Sequence, residues 1–193
     1  MKIFVIMGLA GALVIASPTF AYLFPSRTGE KFSELYILDS NHMAEDYPFT
    51  VEANKTYEVF LGIGNHMGSS AYYVLYVKLR NQSESLPNST LGTPSPMPAL
   101  YEYRVFLQDG GVWEKQLNFS FRSFSFYGNS CMVEDLTIND VNLHVGKLVS
   151  WDSENKGYYL ELFFELWIYD AESENFSFHN RFVGIWLNMT GPS

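Results

Sequence analysis

The chain has 193 residues, of which 47% are hydrophobic and 17% aromatic, and it carries a formal charge of −9. That acidity, with a pI near 4.8, argues against nucleic-acid binding, which needs a positive footprint. A single cysteine, Cys131, rules out an intramolecular disulfide and a cysteine-rich zinc site, and reads as a buried thiol packing as a small hydrophobe. The length suits one domain with a core of its own, and the aromatic and β-branched content favours strands.

After Lys2 the sequence is apolar through residues 3–24, broken only by Ser17, Pro18 and Thr19, and charge resumes at Arg27. A run of about 20 apolar residues can span a bilayer as a helix. The same stretch fits a secretory signal, with Lys2 as its positive start, residues 3–15 as its apolar core and Thr19-Phe20-Ala21 as a cleavage site near Ala21. The apolar run continues through Tyr22, Leu23 and Phe24, past that cut, which favours an uncleaved anchor. In both readings the positive end stays cytoplasmic and everything after Arg27 is exported. The organisation expected is therefore an anchor or signal at 1–24, a spacer at 25–31 and an extracytoplasmic domain at 32–190.

Within that domain Phe32–Leu38 is a strand candidate. A polar loop at 39–46 leads to an extended piece at 47–51, which Pro48 confines to an edge. Residues 55–63 alternate with Tyr57, Val59, Leu61 and Ile63 on one face, and residues 71–80 with Tyr73, Leu75, Val77 and Leu79 inward. With a turn at 65–70 between them, the two predict a hairpin. The Ser/Pro-rich stretch at 81–99, with Pro87, Pro94, Pro96 and Pro98, predicts a mobile surface loop within the domain. Structure resumes at 101–108, where Tyr103, Val105 and Leu107 share a face, and Asp109-Gly110-Gly111 turns the chain. Between residues 112 and 126 the apolar phase moves from odd (Trp113, Leu117, Phe119, Phe121) to even (Phe124, Phe126), predicting a bulge near Arg122 or Ser123. One or two weaker strands follow, at 132–138 and 141–151.

The strongest signal lies at 157–190, two long strands joined by the acidic turn at 170–175. In the first, Leu160, Leu162, Phe164, Leu166 and Ile168 form the better core face, leaving Glu161, Phe163, Glu165, Trp167 and Tyr169 opposite. In the second, Val183, Ile185, Leu187 and Met189 alternate with Phe182, Gly184, Trp186 and Asn188. Seven to nine short strands with regular turns and no soluble helix predict an all-β, immunoglobulin-like antiparallel β-sandwich, preceded by one N-terminal hydrophobic helix.

N-x-[ST] sequons begin at Asn54, Asn81, Asn88, Asn118, Asn175 and Asn188. Ordinary usage would supply about one or two in a chain of this size. Each alone reads as a turn asparagine. Four lie at expected strand ends or loops, and Asn118 and Asn188 lie in strands on the face opposite the apolar residues. Together they predict N-glycosylation and export.

Several of these stretches are similar to the archaeal membrane-anchored family called domain of unknown function 1616 (DUF1616). They are FSELYIL at 32–38 with AEDYP at 44–48, VFLGIGNH at 59–66, VFLQDGGVWE at 105–114 and, as the closing strand, FHNRFVGIWLNMT at 178–190. The resemblance spans residues 32–190. It implies an exported immunoglobulin-like domain behind membrane helices, with no assigned activity and no catalytic residues. Members often carry several N-terminal membrane helices, whereas this chain has room for one, so a role that needs a multi-span membrane part is in doubt.

The four histidines, His42, His66, His144 and His179, fall in no nucleophile or metalloprotease pattern, and His179 suggests a structural hydrogen bond. Glu161 and Glu165 read as an ordinary solvated pair. No catalytic residue and no cofactor are expected. Calcium is a weak candidate at Asp170, Glu172 and Glu174 with Asn175, or at Asp152, Glu154 and Asn155, because neither turn has the spacing or glycine of a calcium loop. The outer face of the closing hairpin is a candidate binding patch of Phe182, Trp186 and Trp167, joined by Tyr169 and Phe163, unless a loop or strand covers it. The expected function is a non-catalytic, membrane-anchored, N-glycosylated surface domain. Its expected partners are the membrane through residues 3–24 and a protein or glycan at the cell surface. A carbohydrate- or calcium-binding module and a strand-accepting filament subunit are the alternatives.

Overall fold

A computed structural model describes residues 30–190. The expected membrane segment at 3–24, its cleavage site and the N-terminal helix lie outside the described residues. Among those residues the chain forms β1 (Phe32–Leu38), β2 (Thr50–Val51), β3 (Thr56–His66), β4 (Ala71–Asn81), β5 (Tyr101–Leu107) and β6 (Val112–Phe121). It continues with β7 (Phe124–Tyr127), β8 (Ser130–Ile138), β9 (Val141–Asp152), β10 (Gly157–Asp170) and β11 (Asn175–Met189). Eleven strands replace the seven to nine expected, and no helix is described.

The strands follow one hydrogen-bonded path, β1-β3-β6-β8-β9-β10-β11-β2, with β7 added on β8, β4 added on β10 and β5 added on β4. The path bends where β9 meets β10, since those strands pair only at Asp152–Gly157 and Trp151–Tyr158. On either side the apolar faces look at each other. Val59, Leu61, Leu117 and Phe119 from one side share a core with Tyr73, Leu75, Leu162 and Phe164 from the other. Burying both apolar faces together is what lets strands that alternate with period two exclude water.

The hairpin expected from residues 55–63 and 71–80 does not form. β3 pairs with β1 and β6, whereas β4 pairs with β5 and β10. Their apolar faces meet across the core, so the turn between them carries the chain from one side to the other. The connection from β5 to β6 crosses back. Asn65, fully buried, ties both crossings together. Its backbone N–H donates to Gly111 and its carbonyl accepts from Gly110, while its side-chain amide donates to the carbonyls of Ser69 and Leu107. A buried amide is stable only when so fully bonded.

The phase change near Arg122 is real, but it is shared by both strands. Phe121 pairs with Leu136 and Phe124 with Val133, so the alternation shifts on β8 as well and the register is kept. β8 and β9 form a hairpin through Asn139 and Asp140, at φ 46° and 67°, the left-handed pair that a two-residue turn requires. Further along, β9 carries an extra residue opposite Glu134, with Gly146 at φ 52°.

Candidate binding surface around Trp186

β10 is buried on both faces, which overturns the solvated reading of Glu161, Phe163 and Glu165. Glu165 and Phe163 are inaccessible and Glu161 is 6% exposed. The cause is position. β10 lies between β4 and β11, and residues 82–99 fold over its outer face. Burying carboxylates demands partners, and β4 supplies them. Lys78 Nζ lies 2.7 Å from Glu165 Oε2, and Arg80 Nε lies 2.5 Å from Glu161 Oε2. The covering loop completes the set. Ser95 N–H donates to Glu165 Oε1 at 2.9 Å, its carbonyl accepts from Lys78 at 3.2 Å, and Trp167 Nε1 donates to Glu165 at 3.2 Å. Arg80 also donates to the Glu84 carbonyl, and Glu84 pairs with Lys147. The stretch read as a mobile loop is thus fastened at Ser95 and Glu84.

This cover divides the expected aromatic patch. Trp167, half-buried, packs edge-on against Tyr76 at 5.6 Å and beside Phe178. Phe182 is half-buried opposite Glu165 in the register. Trp186, 37% exposed, stands at the other end of the hairpin, with the Arg80 guanidinium 4.9 Å from its ring centroid. Tyr169 is exposed but belongs to a separate cluster with Phe176 and Tyr72.

Trp186 and Phe49, a residue the sequence pattern did not single out, both line two depressions. The first, of about 350 Å³, is lined by Phe49, Gln82, Asn155, Tyr159 and Trp186. The second, of about 420 Å³, is lined by Phe49, Trp186, Gly184 and the 46–48 segment. The first has a polar wall set by Asp152, whose carboxylate accepts from Gln82 Nε2 at 2.6 Å, Asn155 Nδ2 at 2.8 Å and the backbone N–H groups of Glu154 and Asn155. These bonds hold the Asp152 carboxyl well below the usual carboxylate range. With both amide nitrogens engaged by one carboxylate, the two amide oxygens are left to meet a ligand that donates hydrogen bonds.

Asn188 is linked through the sheet to two residues that line this depression, Tyr159 and Phe49. It pairs in register with Tyr159, its N–H donates to the Phe49 carbonyl at 2.7 Å, and its Oδ1 accepts from Tyr158 N–H at 3.0 Å. Rather than facing open solvent it is half-buried, as are Asn81 and Asn118, whereas Asn54, Asn88 and Asn175 are exposed.

In the turn after β10, Asp170 Oδ1 accepts from Glu172 N–H and Oδ2 from the Ser173 hydroxyl, which lowers its pKa. Among the described residues no three His, Cys, Asp or Glu side chains gather as a metal site. His179 makes the structural bond its position suggested. A two-residue bulge in β11, with Asn180 at φ 55°, turns it toward β1. Its Nε2 lies 2.9 Å from Ser33 Oγ, which lies 2.7 Å from Tyr73 Oη, and Tyr73 donates to Asn65. The Ser33–His179 contact resembles a nucleophile–base pair, but Ser33 is 2% exposed and serves as a link in a buried chain. Cys131 is buried, and burial pushes its thiol up to about 11.

The chain belongs to the family described as domain of unknown function (DUF1616), whose pattern matches residues 25–125, more than half of the chain. The matched stretch includes three of the four motifs through which the resemblance was read and stops short of the closing strand at 178–190. No curated protein matches the sequence. Among solved structures the chain is similar to a β-glucosidase from Listeria innocua in complex with isofagomine, at 13% identity and TM-score 0.41, over 84% of this chain and 16% of that one. It thus spans about a sixth of that enzyme's length. It is also similar to a CARDB domain from Pyrococcus furiosus in complex with di-metal ions, at 9% identity and TM-score 0.40, over 86% and 97% of the two chains. A third similarity is to a chain in the complex of Zinc 2-glycoprotein and Prolactin inducible protein from human seminal plasma, at 8% identity and TM-score 0.39, over 86% and 100%.

Proposed function

We propose that this protein is a non-catalytic, N-glycosylated, extracytoplasmic interaction domain of immunoglobulin-like sandwich type, held at the cell surface by a membrane anchor at residues 3–24. The observation that carries the reading is the placement of the sequons. None of the six asparagines lies in the core, although the domain buries many other polar groups. A run of apolar residues before Arg27 supplies the route of export. Two groups of strands sharing one core support the sandwich.

The test is surface labelling of intact source cells with a membrane-impermeant amine reagent, followed by the intact mass of the amino terminus. Lysines of the domain react before lysis if the reading holds. Protection until the cells are broken overturns it. The mass separates an anchor from a signal cleaved near Ala21.

A second reading, saccharide binding, is favoured by the depression beside Trp186. Exposed aromatic faces offer an apolar stacking surface, and the oriented amides of Gln82 and Asn155 offer hydrogen-bond acceptors.

A further inference from the structure

We propose that the depression beside Trp186 seats the first sugar of a glycan carried by Asn188 of this same chain. The inference rests on the extracytoplasmic, glycosylated reading above and names the ligand of that site.

Three aromatic residues line the depression, and each is tied to Asn188 by the β-sheet itself. Tyr159 is its cross-strand partner, Phe49 accepts its backbone N–H, and Trp186 precedes it by two residues. Two positions along a strand place side chains on the same face about 7 Å apart, room for one sugar ring and its linkage. The burial pattern confirms the shared face, since Ile185, Leu187 and Met189 point into the core between them. No other sequon has this arrangement. The residues two before Asn54, Asn81, Asn88, Asn118 and Asn175 are Glu52, Leu79, Leu86, Gln116 and Ser173.

The side chain of Asn188 is also suitably disposed. Its Oδ1 is held by Tyr158 N–H, and its Nδ2 has no hydrogen-bond partner among the described residues. By contrast, the Asn81 amide nitrogen is engaged with the Leu148 carbonyl. In the modification, Nδ2 of Asn188 bonds to the anomeric carbon of a lipid-pyrophosphate-linked oligosaccharide. The bond from that carbon to the pyrophosphate oxygen breaks, the amide gives up one proton, and the lipid pyrophosphate leaves. The attached sugar then lays its C–H face on the Trp186 indole, and its hydroxyls donate to the amide oxygens of Gln82 and Asn155. A neutral or N-acetylated pyranose fits this lining, which contains no charged side chain, while the nearby Asp152 and Arg80 are engaged with Gln82 and Trp186.

Two measurements on protein purified from source cells test this. Peptide mass mapping is expected to find sugar on Asn188. Thermal unfolding is then compared for the native protein, Trp186→Ala, Thr190→Val, which destroys the sequon, and the double variant. Because Trp186→Ala also removes the stacking on Arg80, the informative quantity is the difference between backgrounds. The expected result is a Tm loss larger by about 2 °C when the sequon is intact, as one aromatic contact in a domain of this size implies. Equal losses in both backgrounds overturn the proposal. So does an unmodified Asn188 beside modified Asn54 or Asn88, an outcome that leaves the extracytoplasmic reading standing. An unmodified Asn188 with Trp186 fluorescence that shifts on adding free chitobiose overturns it in favour of an external glycan. Absence of sugar from all six sites defeats both readings together.

Discussion

Lys78 and Glu165 meet at 2.7 Å on the outer face of the closing hairpin, 5% and 0% exposed, 87 positions apart in the chain. Two further donors reach Glu165, the Ser95 N–H and the Trp167 indole, and the Ser95 carbonyl accepts from Lys78, so this pair fastens the covering loop to the sheet. Removing one partner leaves the other charged and dry. Glu165→Ala is expected to cost about 3–5 kcal/mol. The double replacement Lys78→Met with Glu165→Leu removes both charges and leaves mainly the Ser95 groups unbonded, a loss of about 1–3 kcal/mol. Urea unfolding of the three proteins checks the order. A double variant as weak as the single one would show that the loop, rather than the paired charges, governs this face.

Gly184 reports on the second pair. A β-carbon there would lie 2.6 Å from Glu161 Oε1 and 2.9 Å from Phe163 Cβ. Gly184→Ala therefore displaces the carboxylate that Arg80 holds, at an expected cost of about 1–3 kcal/mol. Thermal unfolding measures it, and an unchanged Tm would mean that Glu161 moves freely.

Stability should fall on mild acidification. Burial first, and the nearby Arg181 charge second, lower the pKa of His179 below the ordinary histidine value of 6.5. The unfolded chain then binds a proton before the folded one does, so the contribution is complete above that value and is lost as pH drops toward the folded pKa. His179→Gln should flatten the dependence of Tm on pH between neutrality and about pH 5. An identical slope in wild type and variant would assign the effect to other groups.

Cys131, with its thiol raised to about 11 and no exposure, is expected to resist a disulfide reagent at neutral pH. In denaturant it should react at once, so the delay measures opening of β8. Rapid native labelling would contradict the burial.

Much of this architecture could be read from alternation alone. Phe32–Leu38 is a strand at the expected limits, and the closing hairpin stands as anticipated because its two apolar series are long and its turn is polar. Partnership was less legible. The apolar face of residues 55–63 matches that of 71–80 equally well whether they lie side by side or face across a core, since period two is the same in both. The burial of Glu161 and Glu165 was hidden for a related reason. A polar residue at every other position marks a solvated face, unless a strand on the same face supplies opposite charges. Here that signal was present in Lys78 and Arg80, two positions apart on a strand otherwise apolar, but it becomes visible only once β4 and β10 are known to pair. Phe49 had no signal at all. It enters the candidate surface through a two-residue parallel strand, too short for any periodicity.

The crossing of the chain at Asn65 has a consequence for the order in which the domain can be completed. β4 leaves the crossing with one neighbour, β5, close behind it, and the other, β10, separated from it by five intervening strands. While the polypeptide emerges, that side of β4 presents an unpaired row of amides and carbonyls together with Lys78 and Arg80, which have no counter-ions until residues 161 and 165 arrive. Such a strand is slow to be satisfied and adhesive in the interval. The two basic side chains that lock the finished sheet would, in the nascent one, act as charged guards against premature strand addition.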